Sequence, residues 1–279
     1  MTRIQNNSMS FEEFLKETLP HLGLKRGYFK KKSIKRRMVK RLEYLGIDSF
    51  KEYKELLEKS SKEKREIYKI FTITISRLFR DADLFEYLKE EVFPLLLKRD
   101  KGEYKIWSVG CSCGEEVYSI KIVWEEFLKK IGKAKNNKLI IYATDVNEIC
   151  LNKAKKAEYR KSSLEEIPPE MVNHYFINRE GLYMINQFAR DNIEFFVHNI
   201  ILDDPIKEMD MIFCRNSVFT YFTLKYQEEA LKKIYDSLAD NGFLVIGHKE
   251  KLPGISEDML KPFWSKGCLY KKINLICEK

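Results

Sequence analysis

No run in the chain approaches the roughly 20 consecutive apolar residues that a membrane-crossing helix needs. The opening stretch, Met1 to Ser10, is polar and holds no apolar signal core behind a basic start. The expectation is a soluble, cytoplasmic protein that does not span a membrane. A CxxC pair is also missing. The six cysteines, at 111, 113, 150, 214, 268 and 277, mostly sit in apolar, strand-like stretches. That pattern predicts reduced, buried thiols rather than disulfides. No second Cys/His pair stands at ligand spacing from Cys111 and Cys113, so no metal site is expected. Neither a Ser/His/Asp set nor a pair of catalytic acids stands out, and His198 and His248 read as packing residues. Internal repeats and low-complexity linkers are absent, and few strand signals occur before residue 103.

What is present can build a core. The 279 residues are 44% hydrophobic and 13% aromatic, which excludes a disordered chain and fits a medium domain plus a small one. The net charge of +9 is unevenly spread. Residues 1–60 hold 15 Lys/Arg against 8 Asp/Glu, a net of +7, and Lys25 to Arg41 contains ten bases and no acid. Such a stretch predicts an acidic partner, or else a solvated face on a lysine-rich protein.

The first hundred residues read as helices. Ser10 and Glu13 form a capping box for a helix starting at Phe11. Ile34, Met38 and Leu42 draw one apolar stripe along a basic helix from Lys31 to Tyr44, ended by Gly46. Further helices are expected over Ser49–Glu58, Lys62–Phe71 and Asp83–Val92, the last limited or kinked by Pro94. After residue 103 strands and helices alternate. Strands are expected at Tyr104–Val109, Leu139–Thr144, Ile193–Val197, Met211–Cys214 and Phe243–Gly247. Helices are expected over Glu115–Lys130, from Asn147, and over Tyr226–Leu238, with a turn at Asn241-Gly242. A terminal hairpin strand is expected within Gly267–Ile276. The alternation predicts an α/β, doubly wound, Rossmann-like parallel sheet. Pro168-Pro169 should stop a helix, and Tyr183 to Arg190 suggests a small inserted subdomain at about residues 160–192. The expected division is 1–100, all-α, and 101–279, the sheet domain.

Four segments could carry chemistry. Gly110-Cys-Ser-Cys-Gly114 follows the first strand and opens a helix, where a nucleotide ligand is expected. The helix begins Glu115-Glu116, whereas helix starts that hold phosphate avoid acids. An acidic pair suits a cationic end, an ammonium or a sulfonium, and so S-adenosylmethionine over NAD. It also suits a helix dipole and nothing more. Asp145, closing the second strand, suits ribose hydroxyls or a helix cap. Arg215 and Asn216 end another strand at the sheet's carboxyl edge, where ligands bind in such folds. The aromatic run Phe219-Thr-Tyr-Phe222 follows, as packing or as a wall of the site. Thr72 to Asp81 mixes hydroxyls and arginines among apolar residues, and could cap a helix or close over a carboxylate.

Taken together and in this order, the segments resemble the CheR-type protein-glutamate methyltransferases of chemotaxis. That family shows NxTxFFR before the sheet, WSAGCSTGEEPYS at the first loop, an acid after the second strand, and FCRNVLIYF near the fourth. Here the matching stretches are Thr74-Ile-Ser-Arg-Leu-Phe-Arg80, Trp107-Ser-Val-Gly-Cys-Ser-Cys-Gly-Glu-Glu-Val-Tyr-Ser119, Asp145 and Phe213-Cys-Arg-Asn-Ser-Val-Phe-Thr-Tyr-Phe222. Thr74 stands where the family has Asn, and Tyr221 lies one residue farther from Asn216 than usual. The resemblance spans about residues 10 to 275 and implies a class I methyltransferase sheet behind an all-α domain.

It also implies S-adenosylmethionine as cofactor, with S-adenosylhomocysteine as product. Arg80 would lie against the cofactor carboxylate and near the acceptor, Thr74 and Ser76 would touch the cofactor, and Gly110 would belong to its loop. Glu115 would hold the methionyl ammonium and Asp145 the ribose. Asn199 and Ile200 would flank the adenine, Arg215 and Asn216 would complete the pocket, and Tyr221 would stand near the acceptor carboxylate. The implied partner is an acidic helical protein, such as a methyl-accepting chemoreceptor. A nucleic-acid acceptor fits less well, because Arg215-Asn-Ser-Val does not match a D/N-P-P-Y/F tetrad and the basic stretch lacks stacking aromatics. A different acceptor, or a non-catalytic sensor of the cofactor, are the competing readings.

Overall fold

Capping and stripe patterns dominate the first helices of the computed structural model, which describes residues 9–22, 30–71, 76–132 and 137–273. The chain forms two compact units, Met1–Ile73 with Thr220–Gln227, and Thr74–Phe219 with Glu228–Lys279.

In the helical unit, α1 (Phe11–Thr18) starts with the capping box of Ser10 and Glu13. The basic helix α2 (Lys31–Leu45) buries Ile34, Met38 and Leu42 and ends at Gly46, which is left-handed. Ser49 caps α3 (Phe50–Lys59), and α4 (Ser61–Phe71) follows. Phe14, Phe50 and Tyr53 pack ring against ring. Beside them Arg41 grips Glu63 through two bonds of 2.8 and 2.7 Å, and Tyr53 donates to the same carboxylate at 2.7 Å. A buried acid so partnered stays ionised, and the Arg41 bond chiefly holds the Glu63 carboxyl below its usual range.

The second unit is built on the expected doubly wound sheet. Its strands are β1 (Glu103–Val109), β2 (Lys138–Asp145), β6 (Ile193–Val197), β7 (Met209–Cys214), β8 (Leu238–Ile246), β9 (Leu260–Pro262) and β10 (Leu269–Lys272), in the order β6-β2-β1-β7-β8-β10-β9. Neighbours from β6 to β8 run parallel, and β10 is antiparallel to both β8 and β9. The chain reverses its winding between β1 and β7, so a crevice opens at the carboxyl ends of those strands. Helix α7 (Glu115–Lys130) packs a buried face of Trp124, Phe127 and Ile120 onto the sheet, against Tyr104 and Phe93. A small antiparallel sheet is made of β3 (Glu158–Arg160), β4 (Phe176–Arg179) and β5 (Leu182–Ile185), in the order β3-β5-β4.

Several expectations need correction. Pro168-Pro169 opens a helix, α9 (Pro169–Tyr175), because proline at a first-turn position gives up only an N–H that has no partner there. Asn241-Gly242 is not a separate turn between elements but an irregularity inside β8, opposite Met209 and Met211. The helix near Pro94 runs as α5 (Ala82–Tyr87), a π-helical turn (Leu88–Val92) and α6 (Phe93–Leu97). These helices belong to the sheet unit and not to a helical domain ending at residue 100, because Phe93 packs edge-on against Trp124 of α7 at 5.0 Å. Among the described residues, no helix is long and apolar enough to cross a membrane.

Candidate active site

The loop after β1 is held from beneath by backbone. Gly110 and Cys111 both donate to the Thr144 carbonyl, at 2.8 and 2.9 Å, and Trp107 Nε1 donates to Thr144 Oγ1 at 2.8 Å. Ser112 then takes a left-handed conformation and donates its N–H to Asp145 Oδ2 at 2.9 Å. The other oxygen, Asp145 Oδ1, accepts from Asn147 N at 2.8 Å. Asp145 therefore braces the loop while keeping further lone pairs, since each carboxylate oxygen has two. Burial pushes its pKa up, and the backbone bonds pull against that.

Gly114 closes the loop at φ +89°, where an added Cβ would lie 2.9 Å from the Ala154 Cβ of α8 (Glu148–Lys156). No other residue fits there without moving one of the two elements. The tight approach pulls Glu115, the first residue of α7, inward. Its side chain is 6% exposed, and its Oε2 is buried without a hydrogen-bond partner. Burial raises its pKa from 4.5 to about 7. A hydrogen bond from its own backbone and the charge of nearby Lys153 pull against that shift, and a buried carboxylate with one bare oxygen stays costly unless a cation meets it. The bare carboxylate oxygen can accept from the ammonium of a bound amino-acid end, which is the part of S-adenosylmethionine expected here.

Glu116, one position on, faces a different neighbourhood. Ser108 Oγ donates to its Oε1 at 2.8 Å, and Arg215 Nη1 to its Oε2 at 3.2 Å. Arg215, at the end of β7, also binds Asp81 Oδ2 and the Arg80 carbonyl. Burial pushes the Glu116 pKa up, and the charge of Arg215 opposes the shift. The guanidinium is 4% exposed and lies 5.9 Å from the Phe85 ring centre, with Nε unpartnered. This cluster ties the segment before the sheet to α7 and to the carboxyl edge of β7.

Asn216 is left-handed, and its N–H donates to Glu250 Oε2 at 2.8 Å, as does that of Gly247 at 2.7 Å. Glu250 thus joins the loops after β7 and β8. Asn199 turns its amide oxygen back to Ile201 N at 3.0 Å, and Ile200 is buried. His198 packs edge-on against Trp107 at 5.2 Å, as a packing residue would.

The sequence-predicted residues therefore fall into groups. Gly110, Glu115, Asp145, Arg215 and Asn216 gather at the carboxyl edge, and the segment holding Asn199 and Ile200 follows β6 there. Ser76 is half-buried, and Arg80 contributes its carbonyl while its side chain is exposed. Thr74 lies outside the described residues. Tyr221 belongs to the helical unit, where Lys30 N donates to its carbonyl at 2.8 Å and the Arg37 guanidinium sits 5.6 Å from its ring centre. Two residues join the site beyond those expected, Glu250 and Tyr159, the latter donating to the Cys113 carbonyl at 2.8 Å, and Asp81 at the end of the fourth segment joins it as the partner of Arg215. Only Glu250 had a usable signal, its position just past a strand's carboxyl end.

A largely parallel sheet with its winding reversed between β1 and β7, an acid-led first loop and an acid closing β2 fit an S-adenosylmethionine-dependent methyltransferase, and the family match below shows that class. Residues 74–266 match the SAM binding domain of CheR methyltransferases, and residues 9–72 match their all-alpha domain. The chain belongs to the CheR methyltransferase family. It is 32% identical over 231 residues to the chemotaxis protein methyltransferase of Listeria innocua, covering 83% of this chain and 86% of that one. It is 31% identical over 268 residues to chemotaxis protein methyltransferase 1 of Pseudomonas aeruginosa, covering 94% and 96%. It is also 28% identical over 232 residues to an uncharacterized 104.1 kDa protein of Rhodobacter capsulatus, covering 82% of this chain but only 24% of that protein's length.

Proposed function

We propose that this methyltransferase O-methylates glutamate side chains of a protein, with a chemotaxis receptor as the acceptor class and the cytoplasm as the place of action. The observation that carries the reading is the match, over most of both chains, to relatives named chemotaxis protein methyltransferases. Bound S-adenosylmethionine supplies a methyl group activated by its sulfonium. A glutamate acceptor has an ordinary pKa of about 4.3 and is already ionised near neutral pH, so no general base is required of the chain. The residues must instead hold the two reactants in line and exclude water.

In this reading Glu115 pairs with the methionyl ammonium, and its loop, including Gly110, lets the backbone approach closely. Asp145 accepts from the ribose while it braces Ser112. Asn199 and Ile200 border the adenine, and Asn216 closes the pocket from β7. Arg215 acts as a positioning residue, holding the Arg80 carbonyl and Asp81. Arg80, with Ser76 and Thr74, meets the cofactor's carboxylate end, and Tyr221 lies near the acceptor. The basic face of α2 suits an acidic substrate helix.

Labelled S-adenosylmethionine incubated with cell fractions tests the acceptor class. A base-labile label on a membrane protein is expected, as for a glutamyl methyl ester. A base-stable label, or label on RNA, would overturn the reading.

A further inference from the structure

Beside the first loop lies a cavity of about 250 Å³, whose wall includes Glu115, Lys153, Lys156, Tyr159 and Arg160. Local structure explains why these residues meet. Lys153 and Lys156 stand three apart on α8 and share one of its faces. Ala157 ends α8 in a left-handed conformation, so the chain passes straight into β3. Along β3 the exposure alternates, with Tyr159 buried between exposed Glu158 and Arg160. Tyr159 donates to the Cys113 carbonyl at 2.8 Å, which ties β3 to the loop that starts α7.

The wall carries charges of both signs. Glu115 is 6% exposed, and its Oε2 has no hydrogen-bond partner. Glu158 is a second acid, exposed where Glu115 is buried. Lys153, Lys156 and Arg160 are exposed, and none of them forms an ion pair with a described residue. A water occupies about 30 Å³ of liquid, so the space admits a ligand group and not only a single water. An α-amino acid carries its ammonium and its carboxylate on one carbon. A ligand that sets its ammonium on Glu115 therefore brings its carboxylate to the same cavity. Arg80, the cation that the family resemblance gives to that carboxylate, has an exposed side chain and is not among the residues of this wall.

We propose, resting on the reading of Glu115 as the ammonium's partner, that Lys153, Lys156 and Arg160 hold the methionyl carboxylate of S-adenosylmethionine, beside Arg80. The cofactor's amino-acid end is then recognised as a zwitterion, its positive part by α7 and its negative part by α8 and β3. The guanidinium of Arg160 offers a planar fork that matches a carboxylate, and the two lysines add point charges. Each cation is open to solvent and screened, so their effect on the ligand is collective. The three are specificity-determining residues: they favour a cofactor that keeps its carboxylate over one that has lost it.

The test is calorimetric titration of the full chain with S-adenosylmethionine and with decarboxylated S-adenosylmethionine, which keeps the ammonium and the sulfonium. The unmodified chain should prefer the carboxylated cofactor. In the triple variant Lys153→Met, Lys156→Met, Arg160→Met, affinity for S-adenosylmethionine should fall about tenfold. Affinity for the decarboxylated ligand should hold or rise, because three like charges no longer oppose its two cations. That second titration also shows whether the variant is folded. An equal loss for both ligands, no loss for S-adenosylmethionine, or an unmodified chain without the preference would overturn the proposal. Glu115→Gln should weaken both ligands, since both keep the ammonium. If it weakens neither, the reading of Glu115 falls and the zwitterion with it. If it weakens both while the triple variant binds S-adenosylmethionine normally, the carboxylate assignment alone falls.

Discussion

Two adjacent glutamates start α7, Glu115 buried and Glu116 half-buried, and they meet opposite fates. Glu116 is matched by Arg215 at 3.2 Å and by Ser108 at 2.8 Å, and through Arg215 it reaches Asp81 and the Arg80 carbonyl. Glu115 has an oxygen with no partner, and burial lifts its pKa to about 7. The helix dipole favours both charges alike, so it does not explain the contrast. A buried charge whose partner is within the chain builds the scaffold. A buried carboxylate with one bare oxygen, offset only by its own backbone and the charge of Lys153, is costly to the free protein.

Breaking the matched pair of Glu116 and Arg215, and removing the charge of Glu115, should therefore change stability with opposite signs. The largest effect is expected for Arg215→Ala, which strands Glu116 and Asp81. Loss of one partner from a buried pair costs about 3–5 kcal/mol, to be read from urea unfolding of the sheet unit. Glu115→Gln should instead stabilise the free protein at pH 8. The folded Glu115 pKa of about 7 lies above its ordinary 4.5, so the folded form keeps its proton to higher pH than the unfolded chain. Stability from this group is present below about 4.5, falls as pH rises to 7, and is lost above that. Removing the charge should return up to about 3 kcal/mol at pH 8 and nothing at pH 4. Unfolding curves at the two pH values check it, and destabilisation at pH 8 would erase the distinction between the glutamates. A smaller loss is expected for Gly114→Ala, about 1–3 kcal/mol, from a left-handed alanine pressed onto Ala154. Cofactor affinity of that variant should fall as well, because Glu115 would be displaced.

Much of this contrast lies beyond one-dimensional reading, for identifiable reasons. Elements set by local pattern were legible. The capping box at Ser10, the stripe Ile34–Met38–Leu42 and the bounds Glu115–Lys130 follow from spacing alone, and the alternation after residue 103 predicts the sheet. Ligand-edge residues were legible because a doubly wound sheet binds at its carboxyl edge whatever its sequence. The difference between Glu115 and Glu116 was not, since it depends on Arg215, 99 residues away in sequence. The same holds for Asp81, 134 residues from Arg215, and for Glu250, 34 residues from Asn216. The placing of the Ala82–Leu97 helices with the sheet rests on the contact of Phe93 with Trp124, which no periodicity encodes. Pro169 opens a helix where its sequence context suggests a stop, because proline ends one helix as readily as it begins the next.

Calorimetric titration of S-adenosylmethionine across pH tests most directly whether the Glu115 carboxylate meets the cofactor's cation. Binding should weaken as pH drops below about 7, approaching tenfold per unit, because the protonated acid offers no charge to the ammonium. Glu115→Gln should bind about 10- to 100-fold more weakly at pH 8, the loss of a charged hydrogen bond, and show no such slope. Equal affinity for the two proteins at pH 8, with the same flat pH profile, would contradict the account.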